Sequence, residues 1–159
     1  MLKMRGALLF FILMSCLASG ACSYVTDFVV INTSESPVEI SYKFKPAPEA
    51  PPIIKGNPVF TSASKVESKE KGNWQDIATD RYEIDQATRT VKVKLQAQEA
   101  LFITRMHHYF GPDDPNDVKG FPVEELSIVG STGNLNFSGK QLLKAFSERS
   151  RVLYTLTYQ

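Results

Sequence analysis

The side chains with chemistry to offer gather in two places. His107 and His108, the only two histidines of 159 residues, precede the acidic stretch Asp113-Asp114-Pro115-Asn116-Asp117. Imidazole and carboxylate are ligands for a divalent cation, and water on such a cation would make a metal-dependent hydrolase. Neighbours on a strand point to opposite faces, so the two histidines cannot chelate one ion without a bulge. The expectation is one half-buried and one solvated histidine, with no resident metal and no other cofactor. Asp114-Pro115-Asn116, with Glu125 in the twelfth position, has the two ends of a calcium loop. Val118 and Lys119 occupy the places of a ligand and of the turn glycine, so an acidic turn is expected instead.

Other catalytic patterns are missing from the sequence. There is no Gly-x-Ser-x-Gly elbow, and no serine lies beside a histidine. Gly130-Ser131-Thr132-Gly133 lacks the lysine and the strand-to-helix setting of a phosphate loop. Glu124 and Glu125 should diverge on a strand, which makes them a poor acid/base pair. A non-enzymatic protein is the expectation, and His107, His108, Asp113, Asp114 and Asp117 are the residues an enzyme would use.

The second place is the N-terminus. Lys3 and Arg5 are followed by the uncharged run Ala7–Met14 and by Ala18-Ser19-Gly20-Ala21-Cys22. A basic start, a short apolar core and small residues are the layout of a secretory signal peptide, and the run is shorter than the roughly 20 residues of a membrane span. Both cysteines of the chain, Cys16 and Cys22, lie here. Cleavage after Ala21 would leave one thiol with no disulfide partner, an exposed liability in an oxidising compartment.

Ser19-Gly20-Ala21-Cys22 resembles the lipobox of bacterial lipoproteins, with serine where that motif most often has leucine. The resemblance implies cleavage after Ala21 and acylation of Cys22. Leu13-Met14-Ser15-Cys16 makes Cys16 the alternative. Ordinary signal-peptidase cleavage after Ala21, releasing a secreted or periplasmic protein, is the other alternative. A diacylglycerol with an amide-linked acyl chain would hold the protein stably on a membrane. By the same resemblance, Ser23 in place of aspartate implies sorting to the outer membrane, facing the periplasm, if the cell is Gram-negative.

Removing 21 from 159 residues leaves 138, enough for one domain with a core of its own. Losing Lys3 and Arg5 takes 18 basic against 17 acidic residues to 16 against 17, a net charge of −1. Without a basic block, nucleic acid is not an expected partner. A short tether, residues 22–26, should join the anchor to a single domain over 27–159. About five residues from Cys22 to Asp27 span roughly 15–18 Å extended. The expected partners are therefore the membrane itself and a membrane-proximal protein.

Strand signals must position all of this. Phe28–Ile31 and the alternating Val38–Lys45 predict an antiparallel hairpin across the turn Thr33–Pro37. Five prolines between Pro46 and Pro58 predict an extended crossover. An edge strand over Val59–Ser64 and a polar loop over Lys65–Asn73 should follow, with Trp74 and Ile77 in the core. Arg81–Asp85 with Thr90–Leu95, and Glu125–Val129 with Asn134–Phe137, predict two further hairpins. Leu101–Phe110 reads as a central strand, Gly111–Gly120 as a loop, Lys140–Arg149 as the one helix and Arg151–Tyr158 as the last strand. The expected fold is an all-β antiparallel sandwich of eight or nine strands, Ig/transthyretin-like by analogy, with one short C-terminal helix before the last strand. Gly72-Asn73-Trp74 resembles the Gly-x-Trp of lipocalins, and a small closed barrel is the alternative. Only 85 residues follow Trp74, since 159 less 74 is 85, which is short for eight strands and a helix. Tyr24, Tyr109, Phe110, Phe121 and Tyr158 fall near strand ends; burial is expected for them, and joint exposure would mark a partner surface.

Overall fold

The computed structural model describes residues 25–46, 56–67, 74–107 and 109–159. The leader with Cys16 and Cys22, Ser23, Tyr24, Pro48, Pro51, Pro52, Gly72, Asn73 and His108 lie outside the described residues.

Among the described residues, eleven strands form two sheets. One runs in the order β10 (Ser147–Ser150), β11 (Leu153–Tyr158), β1 (Val25–Asn32), β7 (Glu99–His107), β3 (Val59–Ser62), β4 (Gln75–Asp76). The other runs β5 (Tyr82–Asp85), β6 (Thr90–Leu95), β2 (Val38–Phe44), β8 (Val123–Gly130), β9 (Gly133–Ser138). Every pairing is antiparallel except β1 with β11. Among the described residues both sheets have free edges, so the fold is an open β-sandwich and not a closed barrel. Its core is the set of alternating inward residues: Ile40 and Tyr42, Val91, Val93 and Leu95, Leu126 and Ile128 from one sheet, and Phe28, Val30, Leu101 and Leu156 from the other.

β1 and β2 do not form the expected hairpin. β1 pairs with β7 and β11, and the turn Thr33–Pro37 carries the chain to the opposite sheet. The reason is the continuous apolar run of β1. Phe28 and Val30 face the main core, while Val29 and Ile31 join Ala63, Val66 and Ala100 in a second cluster with Trp74 and Leu153. A strand buried on both faces belongs inside a sheet with cover on each side. Asn32 fixes the crossing: its Nδ2 donates to the carbonyls of Ser36 and Gln96, both at 2.9 Å, and its Oδ1 accepts from the Ser34 hydroxyl at 2.7 Å.

The two later hairpins, β5–β6 and β8–β9, form as the alternation predicts. Three α-helices, not one, occur among the described residues: α1 (Ala63–Glu67), α2 (Pro115–Gly120) and α3 (Gly139–Ala145), with a single 3-10 turn over Thr79–Arg81. α1 replaces part of the expected polar loop because Ala63 and Val66 help bury the outer side of β1. Trp74 is half-buried on that outer side, 5.5 Å from the Phe102 ring, while Ile77 reaches the main core. β3 is one strand in from the edge that β4 makes. The helix expected over Lys140–Arg149 ends at Ala145. Phe146 turns extended to place its ring in the core, and Ser147–Ser150 becomes an edge strand beside β11. Thus α3 precedes the last two strands.

Candidate functional site

The acidic stretch and the start of the chain's folded body meet at one end of the sandwich. Val25 opens β1 opposite His107, which ends β7. Two residues on, Asp27 lies opposite Leu153, and its N–H donates to the Val152 carbonyl at 3.0 Å. The segment 109–122 then folds across this end. Lys45, leaving β2, donates through Nζ to the carbonyls of Val118 (2.8 Å) and Lys119 (3.2 Å), which ties the opposite sheet to it.

The carboxylates expected as metal ligands have structural partners. Asp117 is only 4% exposed, and its Oδ2 accepts from the successive N–H groups of Phe110 (2.6 Å) and Gly111 (2.9 Å). Charge-assisted bonds of this kind are what make a buried carboxylate tolerable. Asp114 caps α2: its Oδ1 accepts from the Asn116 N–H at 2.7 Å, with Pro115 in the first helical turn. Asp113 is exposed and pairs with Lys140 (2.6 Å) and Lys144 (3.2 Å) of α3. Those two ammonium groups hold its carboxyl below the usual aspartate range. His107 is exposed. Among the described residues, no three His, Cys, Asp or Glu side chains converge as a metal site.

Beneath this layer lies an aromatic cluster centred on Phe28. The rings of Tyr109, Phe121, Phe146 and Tyr154 stand 5.1, 4.9, 5.3 and 5.6 Å from it, mostly edge to face. Tyr109 also meets Tyr154 at 4.8 Å. Its hydroxyl is buried with no hydrogen-bond partner among the described residues, and burial, with Tyr154, Asp117, Asp113 and Glu148 nearby, pushes its ionisation well up. Burial therefore holds for Phe121 and Tyr158, and half-burial for Tyr109. Phe110 departs from the expectation: 78% of it is exposed.

The sequence carried unused signals for this corner. Asp114-Pro115 is a helix-start pair, aspartate as cap and proline in the first turn. Phe110-Gly111-Pro112 sets an aromatic against a turn dipeptide, where a side chain has little to pack on. Chemically, the corner holds the backbone that carries an exposed apolar side chain, and no nucleophile is paired with a base among its described residues.

Elsewhere, the outer face of the five-stranded sheet bears a shallow hollow of about 410 Å³ bordered by Ser41, Lys43, Thr90, Glu125, Ser127 and Asn136. It is the solvated side of alternating strands. No family model matches the chain, and neither a curated protein nor a solved structure matches it, so its reading rests on its own residues.

Proposed function

We propose that this protein is a non-catalytic lipoprotein of the bacterial cell envelope. It is cleaved after Ala21, anchored through lipid on Cys22, and acts as an accessory or protein-binding subunit close to the membrane, the outer membrane if the cell is Gram-negative. The observation that carries the reading is the join between leader and fold. β1, an inner strand of its sheet, begins at Val25, three residues after the lipobox-like cysteine. Three residues reach about 10 Å at most, so an acyl chain on Cys22 holds the sandwich directly against the bilayer. The absence of any cysteine after Cys22 and the structural employment of Asp113, Asp114 and Asp117 add support.

The test is acylation itself. Cells expressing the full chain are given a labelled fatty acid, and the N-terminal peptide of the purified protein is weighed. Label on the protein, a diacylglyceryl mass on Cys22, and loss of both with Cys22→Ala are the expected results. Loss with Cys16→Ala instead moves the site. An unmodified Cys22 at the mature N-terminus replaces the anchor with a freely secreted or periplasmic protein.

A further inference from the structure

We propose that the end of the sandwich where β1 begins is itself a lipid-seating surface, with Phe110 and Val152 entering the acyl–headgroup boundary. This rests on the anchor at Cys22. Three large apolar side chains are exposed among the described residues: Phe110 at 78%, Val152 at 49% and Val129 at 47%. Two of the three share the end that the tether holds down. Val152 donates no side-chain bond but lends its carbonyl to the Asp27 N–H, two residues into β1. Phe110 comes three residues after His107, the partner of Val25.

Phe110 is also built to stand there. The buried carboxylate of Asp117 fixes the N–H groups of Phe110 and Gly111, while its neighbour Tyr109 packs inward against Phe28 and Tyr154. A loop whose backbone is already held by a buried carboxylate loses little further backbone freedom when its exposed ring inserts, which favours binding. Beside Val152, Arg151 is exposed and makes no ion pair with the described residues. It can meet lipid phosphate while the valine enters the apolar layer. The tether fixes the occupant: with about 10 Å between lipid and strand, the surface facing this end is the bilayer.

The mature chain has no thiol other than the acylated one, so a single added cysteine accepts a polarity-sensitive dye. Full-length, lipidated Phe110→Cys, Val152→Cys and Val129→Cys are each labelled and placed on vesicles of phosphatidylethanolamine and phosphatidylglycerol, with and without brominated acyl chains. The expected result is a blue shift with bromine quenching at 110 and at 152, and an unchanged, water-like dye at 129. Protein that floats with the vesicles while 110 and 152 stay water-like overturns the seating and leaves the anchor standing. A shift at all three positions shows the dye itself inserting, and overturns the seating too. Failure to float with vesicles overturns the anchor, and the seating with it.

Discussion

Asp117 and Tyr109 show how differently two buried polar groups can be accommodated within one loop. Both oxygens are out of water, yet Asp117 accepts two backbone N–H bonds while the Tyr109 hydroxyl finds none among the described residues. An unpaired buried hydroxyl costs about 1–3 kcal/mol relative to a partnered one. Tyr109→Phe keeps the ring against Phe28 and Tyr154 and removes that cost. Urea unfolding at pH 7 should find the variant as stable as the parent or more so, by up to about 2 kcal/mol. A loss would mean that the hydroxyl has a partner. The sign with pH follows from burial, which raises the tyrosine's ionisation above its usual value of about 10. The stability this group supplies is complete below that value and is lost as pH rises above it, because the unfolded chain releases the proton first. Tyr109→Phe should therefore show a shallower fall above about pH 10, although Tyr154, raised by burial and Glu148, leaves some of the slope in place.

Among the elements, the last strand ties one sheet to the other through its final tyrosine. Tyr158, at the end of β11, lays its ring over Gly130 of β8. Its hydroxyl donates to the Gly133 carbonyl at 2.9 Å and accepts from the Thr132 hydroxyl and N–H at 2.8 and 3.2 Å. A Cβ at position 130 would fall 2.5 Å from the Tyr158 oxygen, so Gly130→Ala must push the ring away. Overpacking of this sort costs about 1–3 kcal/mol. Gly120→Ala, whose Cβ would meet only the Met106 methyl at 3.8 Å, should stay within about 0.5 kcal/mol of the parent. Thermal melts of the two variants decide it, and equal losses would show that the close approach is relieved without cost. The element scale is also where the sequence was most legible. Period-two runs such as Val91-Lys92-Val93-Lys94-Leu95 reveal a strand and its buried face, and the short turns of β5–β6 and β8–β9 reveal their partners. Nothing in Phe28-Val29-Val30-Ile31 names a partner 120-odd residues away at Leu153–Tyr158, because pairing at that distance is settled by which uncovered face remains. The α3 boundary failed for a similar reason: Leu142, Leu143 and Phe146 have helical spacing, but burying Phe146 beside Phe28 needs an extended residue. At the candidate site the residue types were visible and their roles were not, since a capping, a loop-holding and a lysine-paired aspartate read alike in a row.

At the scale of the whole molecule, the two ends of the sandwich are closed by different means. The end that carries Phe110 is shut by aromatic rings and the Asp117 loop. The opposite end is shut by polar clasps near the two sides: the Tyr158 hydroxyl over the β8–β9 turn, and Arg81, just before β5, with Glu99 at the start of β7. That ion pair is largely buried, with side chains 19% and 16% exposed. Arg81 also donates to the Lys94 carbonyl at 3.1 and 3.2 Å and lies over the Phe60 ring, and Glu99 accepts from the Gln96 N–H at 2.9 Å. Arg81→Met preserves much of the packing but leaves Glu99 with that one bond, a loss of about 1–3 kcal/mol. Tyr158→Phe strips three hydrogen bonds from the other clasp, at a similar cost. β6 and β8 flank β2, so the clasps stand about 10 Å apart, two strand spacings. At that separation the double variant should lose the sum of the single losses within about 0.5 kcal/mol. A larger combined loss would mean that the end opens as one unit. Because both clasps lie at the end away from β1's start, the division of labour makes a second demand. In vesicles below the melting point, a dye at position 110 should report the same environment in the clasp variants as in the parent. A change there would mean that the two ends are coupled through the core, and that the seating surface depends on the whole sandwich rather than on the Asp117 loop.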